Sequence, residues 1–127
     1  MPDRVVDASV IAAMAFEEPR ADEAEDLLRD ATLFAPEIFP YELVSVALKK
    51  TKVVPSQSFD IGMRLREALS IRIKLVSMAP LELLQLARET NLTIYDAAYL
   101  QAAQQLGCPL VTFDEKLARH ARRITRA

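Results

Sequence analysis

Short runs of apolar and β-branched residues alternate along the chain with longer segments whose apolar side chains recur at helical spacing. The short runs predict buried strands at residues 4–7, 32–35, 73–78 and 109–113. Strands separated by helical stretches of about ten residues or more form parallel βαβ units. We therefore predict an α/β fold: a three-layer domain with a central parallel sheet of four or five strands, helices on both faces, and a single domain over residues 1–127.

Prolines and one glycine mark the predicted helix boundaries. Pro19 ends the first helix, and Pro40 and Pro80 lie at helix starts, where a missing N–H costs nothing. Gly107 is the expected C-cap of a helix that begins at Thr93. The predicted helices cover residues 8–16, 20–29, 40–51, 55–69, 80–89 and 93–107, with a last helix from residue 114, whereas residues 123–126 are too few to assign.

Composition excludes several classes of active site. Two glycines cannot build either glycine-rich nucleotide-binding loop. One cysteine and one histidine exclude an internal disulfide and zinc sites made of several thiolates or imidazoles. No serine lies in a G-x-S-x-G hydrolase elbow. The chemistry that remains belongs to carboxylate, hydroxyl and basic side chains.

The longest apolar stretch, residues 8–16, is well short of the roughly 20 residues that a membrane helix needs. Asp7 adjoins it and Asp3 offsets Arg4, so the cationic segment of a signal peptide is missing. We expect a cytoplasmic protein that does not contact membranes.

Charge is distributed unevenly, although the net charge is only -2. Residues 1–31 are strongly acidic, and residues 45–75 and 116–127 are basic. This asymmetry permits contact with a polyanion, but ordinary solvated helix faces explain it equally well. Candidates for such a contact in the middle segment are Lys49, Arg72 and Lys74.

Four acidic residues are candidates for one site. Asp7 ends the first predicted strand and Asp114 follows the last, and ligands of open parallel sheets bind beyond the carboxyl ends of the strands. Asp96 begins the helix before the last strand, and Glu42 begins the helix after the second. We expect these four carboxylates to converge at one edge of the sheet.

Each acid also has an explanation that involves no ligand. Asp7 and Asp114 are good N-caps, Thr93 and Asp96 have capping-box spacing, and Glu42 in a first turn complements the helix dipole. Asp96 fits its explanation least well, because it lies on the apolar side of its helix, and an acid there usually has a partner or a metal. That predicted buried side carries Tyr99, Leu100 and Ala103, and the opposite side carries Gln101, Gln104 and Gln105.

Clustered carboxylates need a compensating cation. Hard oxygen ligands favour Mg²⁺ or Mn²⁺ over zinc, and such an ion supports phosphodiester hydrolysis. Ser9 and Thr112 lie two residues from Asp7 and Asp114, where their hydroxyls can orient the ligands by hydrogen bonds.

Four sequence segments resemble the PIN domain and, in size and layout, the VapC-type toxin ribonucleases of toxin–antitoxin pairs. They are VVDAS at residues 5–9, PYELV at 40–44, LTIYDAAYL at 92–100 and GCPLVTFD at 107–114, and the last two in tandem are the specific ones. The resemblance implies an Mg²⁺- or Mn²⁺-dependent endoribonuclease that acts on RNA, forms homodimers and is inhibited by a small antitoxin protein.

By this resemblance, four residues match the acidic quartet of the family, with Asp7 and Asp96 as direct metal ligands: Asp7, Glu42, Asp96 and Asp114. Ser9 and Thr112 match its supporting hydroxyls. Ser45 departs from the pattern, since many relatives carry asparagine three residues after the glutamate; we expect altered contacts near Glu42 and no loss of a principal ligand.

Three other interpretations stay open. A housekeeping PIN nuclease would process RNA without an antitoxin. A non-catalytic binding or regulatory domain would use the acids only as caps; a phosphoreceiver, one version of it, would need an acidic pair at the first strand, where Asp7 is alone. An aspartyl phosphatase would need a D-x-D pattern, but Ser9 stands at its second acidic position.

Overall fold

Four parallel strands form the central layer of the protein. The structure is a computed structural model that describes residues 1–125, with side chains up to residue 122. Within that range the strands are β1 (Asp3–Val6), β2 (Thr32–Pro36), β3 (Ile73–Val76) and β4 (Leu110–Val111). Their order in the sheet is β3-β2-β1-β4, and every neighbouring pair is parallel. The predicted α/β fold with a parallel sheet is confirmed, with four strands.

Helices cover both faces of the sheet, as predicted. In the first group, α1 packs against the next three helices, whereas in the second group α6 packs against α5, α7 and the strands β1 and β2. None of the described helices is long and apolar enough to span a membrane. The helices are α1 (Ala8–Ala15), α2 (Ala21–Leu28), α3 (Phe39–Val53), α4 (Ser58–Leu69), α5 (Pro80–Thr90), α6 (Ile94–Leu106) and α7 (Glu115–Thr125).

Several predicted elements differ in extent from the observed ones; the strand predicted at residues 73–78, for example, ends at Val76. The last strand is only two residues long. It lies at the edge of the sheet and pairs only with β1, and after Val111 the residues Thr112 and Phe113 make hydrogen bonds to side chains in place of strand pairing. Pro55 opens a single 3₁₀ turn, and the helix proper starts at Ser58, whose hydroxyl donates a 2.7 Å hydrogen bond to the Pro55 carbonyl. Arg126, in the basic tail, lies outside the described residues, as does the side chain of Arg123.

The central helix α6 follows its predicted capping. Thr93 is the N-cap, and its hydroxyl accepts a hydrogen bond from the Asp96 N–H. Gly107 ends the helix in the left-handed conformation, with φ of 63°, which glycine adopts without steric cost. Cys108 is buried just beyond it. These local signals therefore fix where α6, which carries Asp96, begins and ends.

One prediction about α6 is wrong. Tyr99, Leu100 and Ala103 are fully buried as expected, but Gln101 is only 5% exposed and does not face solvent. Its side-chain amide accepts a 3.0 Å hydrogen bond from the Ala79 N–H and donates a 3.1 Å bond to the Ala79 carbonyl. The N-terminus of α5 covers this side of α6, and Gln101 satisfies the backbone polar groups there.

Candidate active site

The strand order creates a crevice between β1 and β4. The chain proceeds from β1 outward to β2 and β3 and then returns to the other side of β1, so the connections diverge at the β1–β4 pair. At such a switch point the space beyond the carboxyl ends of the strands is open to a ligand. Asp7 follows β1 and Asp114 lies three residues beyond β4, so both acids lie at this point.

Asp7 is a buried carboxylate held by two hydroxyl groups. It is only 6% exposed. Ser9 Oγ donates a 2.7 Å hydrogen bond and Thr112 Oγ1 a 2.8 Å hydrogen bond to the same oxygen, Asp7 Oδ2. Although Asp7 occupies the N-cap position of α1, its side chain makes no capping hydrogen bond. Helix capping therefore does not explain why a carboxylate is buried here.

The same two hydroxyls organise the loop after β4. Ser9 Oγ accepts a hydrogen bond of 3.3 Å from the Phe113 N–H, and Thr112 Oγ1 accepts one of 3.0 Å from the Asp114 N–H. The Arg20 guanidinium lies 3.7 Å from the centre of the Phe113 ring, which adds a cation–π contact to the loop. These contacts fix the backbone on both sides of Phe113 relative to Asp7.

Asp114 and Asp96 each begin a helix that faces the crevice. Asp114 Oδ1 accepts a 2.8 Å hydrogen bond from the Leu117 N–H, so Asp114 does cap α7 as its position suggested. Asp96 is half-buried in the first turn of α6. Its backbone N–H donates a hydrogen bond to the Thr93 hydroxyl, and the residue lines the cleft.

Glu42 reaches the cleft from the first turn of α3. Its Oε1 atom is buried without a hydrogen-bond partner, and so is the hydroxyl of the neighbouring Tyr99. The two groups are close enough for the phenol to affect the pKa of Glu42, but they do not make a hydrogen bond of standard geometry. A buried carboxylate oxygen without a donor is costly, and a cation would satisfy it.

All four acids line one cleft of about 530 Å³, as their spacing predicted. Of the basic candidates from the middle segment, Lys49 borders the cleft, whereas Arg72 and Lys74 do not. Two aromatic residues that the sequence analysis did not assign to the site, Tyr41 and Tyr95, also line the cleft. The complete lining comprises Asp7, Ala8, Ser9, Ile38, Tyr41, Glu42, Ser45, Val46, Lys49, Tyr95, Asp96 and Asp114.

The electrostatics of the cleft disfavour ionised carboxylates. Burial raises the pKa of Asp7, and the charge of Asp114 adds to that rise, against the lowering effect of the Ser9 and Thr112 hydrogen bonds. Burial also raises the pKa of Glu42, with further contributions from the charges of Asp7 and Asp96. The pKa of Asp96 is raised first by burial and then by Asp7 and Asp114, whereas the Thr93 hydroxyl and then Lys116 lower it. The four acids therefore act on one another through space.

This environment fits a hard divalent cation. Bound positive charge would offset the mutual repulsion and supply the missing partner of Glu42 Oε1. Among the described side chains, however, no three Asp, Glu, His or Cys groups already enclose an ion. Mg²⁺ commonly retains several waters and takes only one or two carboxylates directly, so a preformed cage is not required.

Comparisons with known proteins agree with this architecture. The PIN domain family matches residues 4–123. Ribonuclease VapC3 of Pyrobaculum aerophilum is 31% identical over 119 residues, which cover 90% of this chain and 91% of that protein. The crystal structure of PAE2754 from Pyrobaculum aerophilum superposes with a TM-score of 0.75 at 27% identity, covering 95% of this chain and 87% of that one. The chain therefore belongs to the PIN domain family, the family that its four sequence segments resemble.

Proposed function

We propose that the protein is a metal-dependent endoribonuclease that hydrolyses RNA phosphodiester bonds at the cleft of Asp7, Glu42, Asp96 and Asp114. The observation that carries the proposal is the convergence of these four acids, from four separate elements, on one cleft in which three of them have raised pKa values. If the acids served only as helix caps, they would have no reason to converge on one cleft. Similarity to a protein named as a ribonuclease supports the choice of RNA as substrate.

The cofactor we propose is Mg²⁺ or Mn²⁺, held directly by Asp7 and Asp96 with help from Asp114 and Glu42. When bound, such an ion lowers the pKa of a coordinated water and stabilises charge on the phosphate oxygens. The donor set consists of carboxylates, and Glu42 Oε1 is buried without a hydrogen-bond partner. Both features favour a hard cation.

The residues of the chain have separable tasks in this proposal. Ser9 and Thr112 hold Asp7 through Oδ2 and make no hydrogen bond to Oδ1, so the carboxylate keeps one orientation. The Leu117 N–H holds Asp114 through Oδ1. Because hydrogen bonds already fix these carboxylates, they lose little conformational freedom when they bind a ligand, and this favours binding.

Cleavage of a mixed pool of structured RNAs tests the proposal. Purified protein is incubated with Mg²⁺, Mn²⁺ or EDTA, beside the variants Asp7→Asn and Asp96→Asn. We expect metal-dependent cleavage by the wild type and loss of this cleavage in both variants. The control variant Asp22→Asn, which changes an exposed acid on α2, should still cleave. Folded, antitoxin-free protein that cleaves nothing with either metal would contradict the proposal.

We further propose that the protein is a single-domain cytoplasmic toxin that forms homodimers and is neutralised by a small antitoxin. Similarity to a VapC ribonuclease supports this role. Large apolar side chains exposed on the helices, such as Phe59 and Leu81, supply surface for protein partners. We expect expression of the protein to arrest growth and the product of a short reading frame immediately upstream to relieve that arrest. Light scattering measures whether the protein is a dimer.

Two alternatives lead to different results. A housekeeping RNA-processing nuclease would cleave RNA but cause no growth arrest, and its gene would have no adjacent antitoxin. A non-catalytic binding or regulatory domain would show the same divalent-ion affinity in Asp96→Asn as in the wild type, with only a modest change in stability.

A further inference from the structure

Two tyrosines stand exposed at the edge of the acidic cleft. Tyr41, in the first turn of α3, is 71% exposed, and Tyr95, in the first turn of α6, is 55% exposed. Both line the cleft that contains Asp7. Large aromatic rings are normally covered in a folded domain, as Tyr99 is. Two uncovered rings beside one group of carboxylates are therefore a feature that packing does not explain.

A lysine lies on the same side of α3 as Tyr41. Tyr41, Ser45 and Lys49 are spaced by four residues, so they follow one face of the helix, and all three line the cleft. The helical rise places Lys49 about 12 Å from Tyr41 along α3. The first turn of α3 thus presents an aromatic ring, and its third turn presents a cation.

Lys49 is the single basic side chain in the cleft lining, and among the described residues it has no ion-pair partner. Its neighbour Lys50, by contrast, makes a 2.6 Å ion pair with Glu18, and Arg64 is paired with both Glu17 and Asp60. An unpaired ammonium on the lining of the acidic cleft can contact an anion that enters the cleft. The polyphosphate backbone of a nucleic acid is such an anion.

We propose that Tyr41, Tyr95 and Lys49 form the nucleotide-binding subsite of the cleft, in which the tyrosines stack on nucleobases and Lys49 binds a backbone phosphate next to the acidic cluster. The assignment rests on the proposed ribonuclease function. Stacking on a side chain requires a base that is free of its duplex partner, so the subsite selects unpaired nucleotides through shape and not through base sequence.

The chain contains three tyrosines and no tryptophan, which makes the stacking step directly observable. The probe is a short unstructured RNA with phosphorothioate linkages, which keeps the backbone charge and resists cleavage. We expect this RNA to quench tyrosine fluorescence. A parallel titration of free tyrosinamide corrects for the light that the RNA itself absorbs. Tyr41→Ala and Tyr95→Ala should each remove part of the quenching and weaken binding by about 5- to 100-fold, whereas Phe59→Ala, an exposed aromatic outside the cleft, should change neither.

The phosphate contact has its own signature. Loss of one phosphate contact to a single strand lowers the slope of log affinity against log salt by about 0.7. We expect this change in Lys49→Met, whereas Lys49→Arg, which keeps the positive charge, should keep the slope. Lys52→Met alters an exposed lysine of the same helix outside the cleft lining and should also leave the slope unchanged. A merely structural role of Lys49 would leave the salt dependence as it is in the wild type.

The failure of the subsite and the failure of the nuclease give different results. If the wild type cleaves phosphodiester RNA with metal but the three variants keep their affinity, quenching and salt slope, the subsite is wrong and the nuclease stands. If RNA quenches the tyrosines without any metal-dependent cleavage, the subsite is supported and the nuclease is contradicted. If Tyr41→Ala changes the molecular mass in solution but not the RNA affinity, the ring is a protein contact and the proposal is overturned.

Discussion

The hydroxyl of Thr112 donates a 2.8 Å hydrogen bond to Asp7 Oδ2, joining residues 105 positions apart in the chain. Thr112 also accepts a hydrogen bond from the Asp114 N–H. One small side chain therefore links the carboxylate at the end of β1 with the acid that begins α7. The geometry of the candidate metal ligands depends on this link.

Replacing Thr112 by valine should weaken the metal site with limited damage to the fold. The variant keeps the shape of the side chain but loses both hydrogen bonds, and we expect a free energy of unfolding lower by about 1–2 kcal/mol. Loss of a group that orients a ligand should lower Mn²⁺ affinity by about 10- to 100-fold, as measured by calorimetric titration. Thr112→Ser retains the hydroxyl and serves as the control. Equal Mn²⁺ affinity in the valine variant and the wild type would contradict the orienting role.

Divalent cations should stabilise the folded protein through the acidic cluster. A ligand that binds only the native state at a concentration about 100-fold above its Kd adds about 2.7 kcal/mol, which is on the order of 10 °C in Tm for a domain of this size. We expect Mg²⁺ and Mn²⁺ to raise the Tm of the wild type and of Asp22→Asn. In Asp96→Asn the rise should be largely lost. A rise of the same size in Asp96→Asn would locate the ion elsewhere.

Without metal, Asp7 should make the protein less stable as the pH rises. Burial raises the pKa of Asp7 above its ordinary value of 3.8. Between that value and the raised pKa, the unfolded chain has already released a proton that the folded chain keeps, so the free energy of unfolding falls with increasing pH. In EDTA we therefore expect Asp7→Asn to gain stability relative to the wild type from about pH 4 towards neutrality.

Urea unfolding of both proteins across this pH range measures the difference, which includes the effect of the Asp7 charge on Glu42 and Asp96. Asp22→Asn, at an exposed position, should follow the wild type at every pH. A stability difference between Asp7→Asn and the wild type that stays constant with pH would show that burial of Asp7 carries no cost in the folded state.

Gln101 should be important for stability although it lies outside the cleft lining. Gln101→Leu removes hydrogen bonds of 3.0 and 3.1 Å and leaves the Ala79 backbone N–H and carbonyl unsatisfied. We expect the free energy of unfolding to fall by about 2–4 kcal/mol, measured by urea denaturation. The matched change Gln104→Leu, at an exposed position of the same helix, should cost less than about 0.5 kcal/mol. Equal losses in the two variants would mean that the Ala79 contacts contribute nothing.

Local signals in the sequence were sufficient to predict the order of the elements and the positions of the four acids along them. Strand and helix periodicity, Pro80 at a helix start and Gly107 as a C-cap depend on interactions between near neighbours in the chain, which the sequence displays directly. In a parallel sheet, an acid that follows a strand must lie at the carboxyl edge. The sequence therefore indicated that Asp7 and Asp114 share an edge, and the catalytic roles of the quartet stay predictions.

The tertiary structure alone decided the strand order and the environment of individual side chains. Periodicity does not say which strands pair, so only the order β3-β2-β1-β4 shows that β4 lies beside β1 and opens the crevice there. Burial depends on what packs against a residue: Tyr95 projects at the cleft edge, while α5 covers Gln101. Likewise Lys49 borders the cleft and Arg72 does not. These distinctions come from contacts between residues far apart in the chain, which no local pattern encodes.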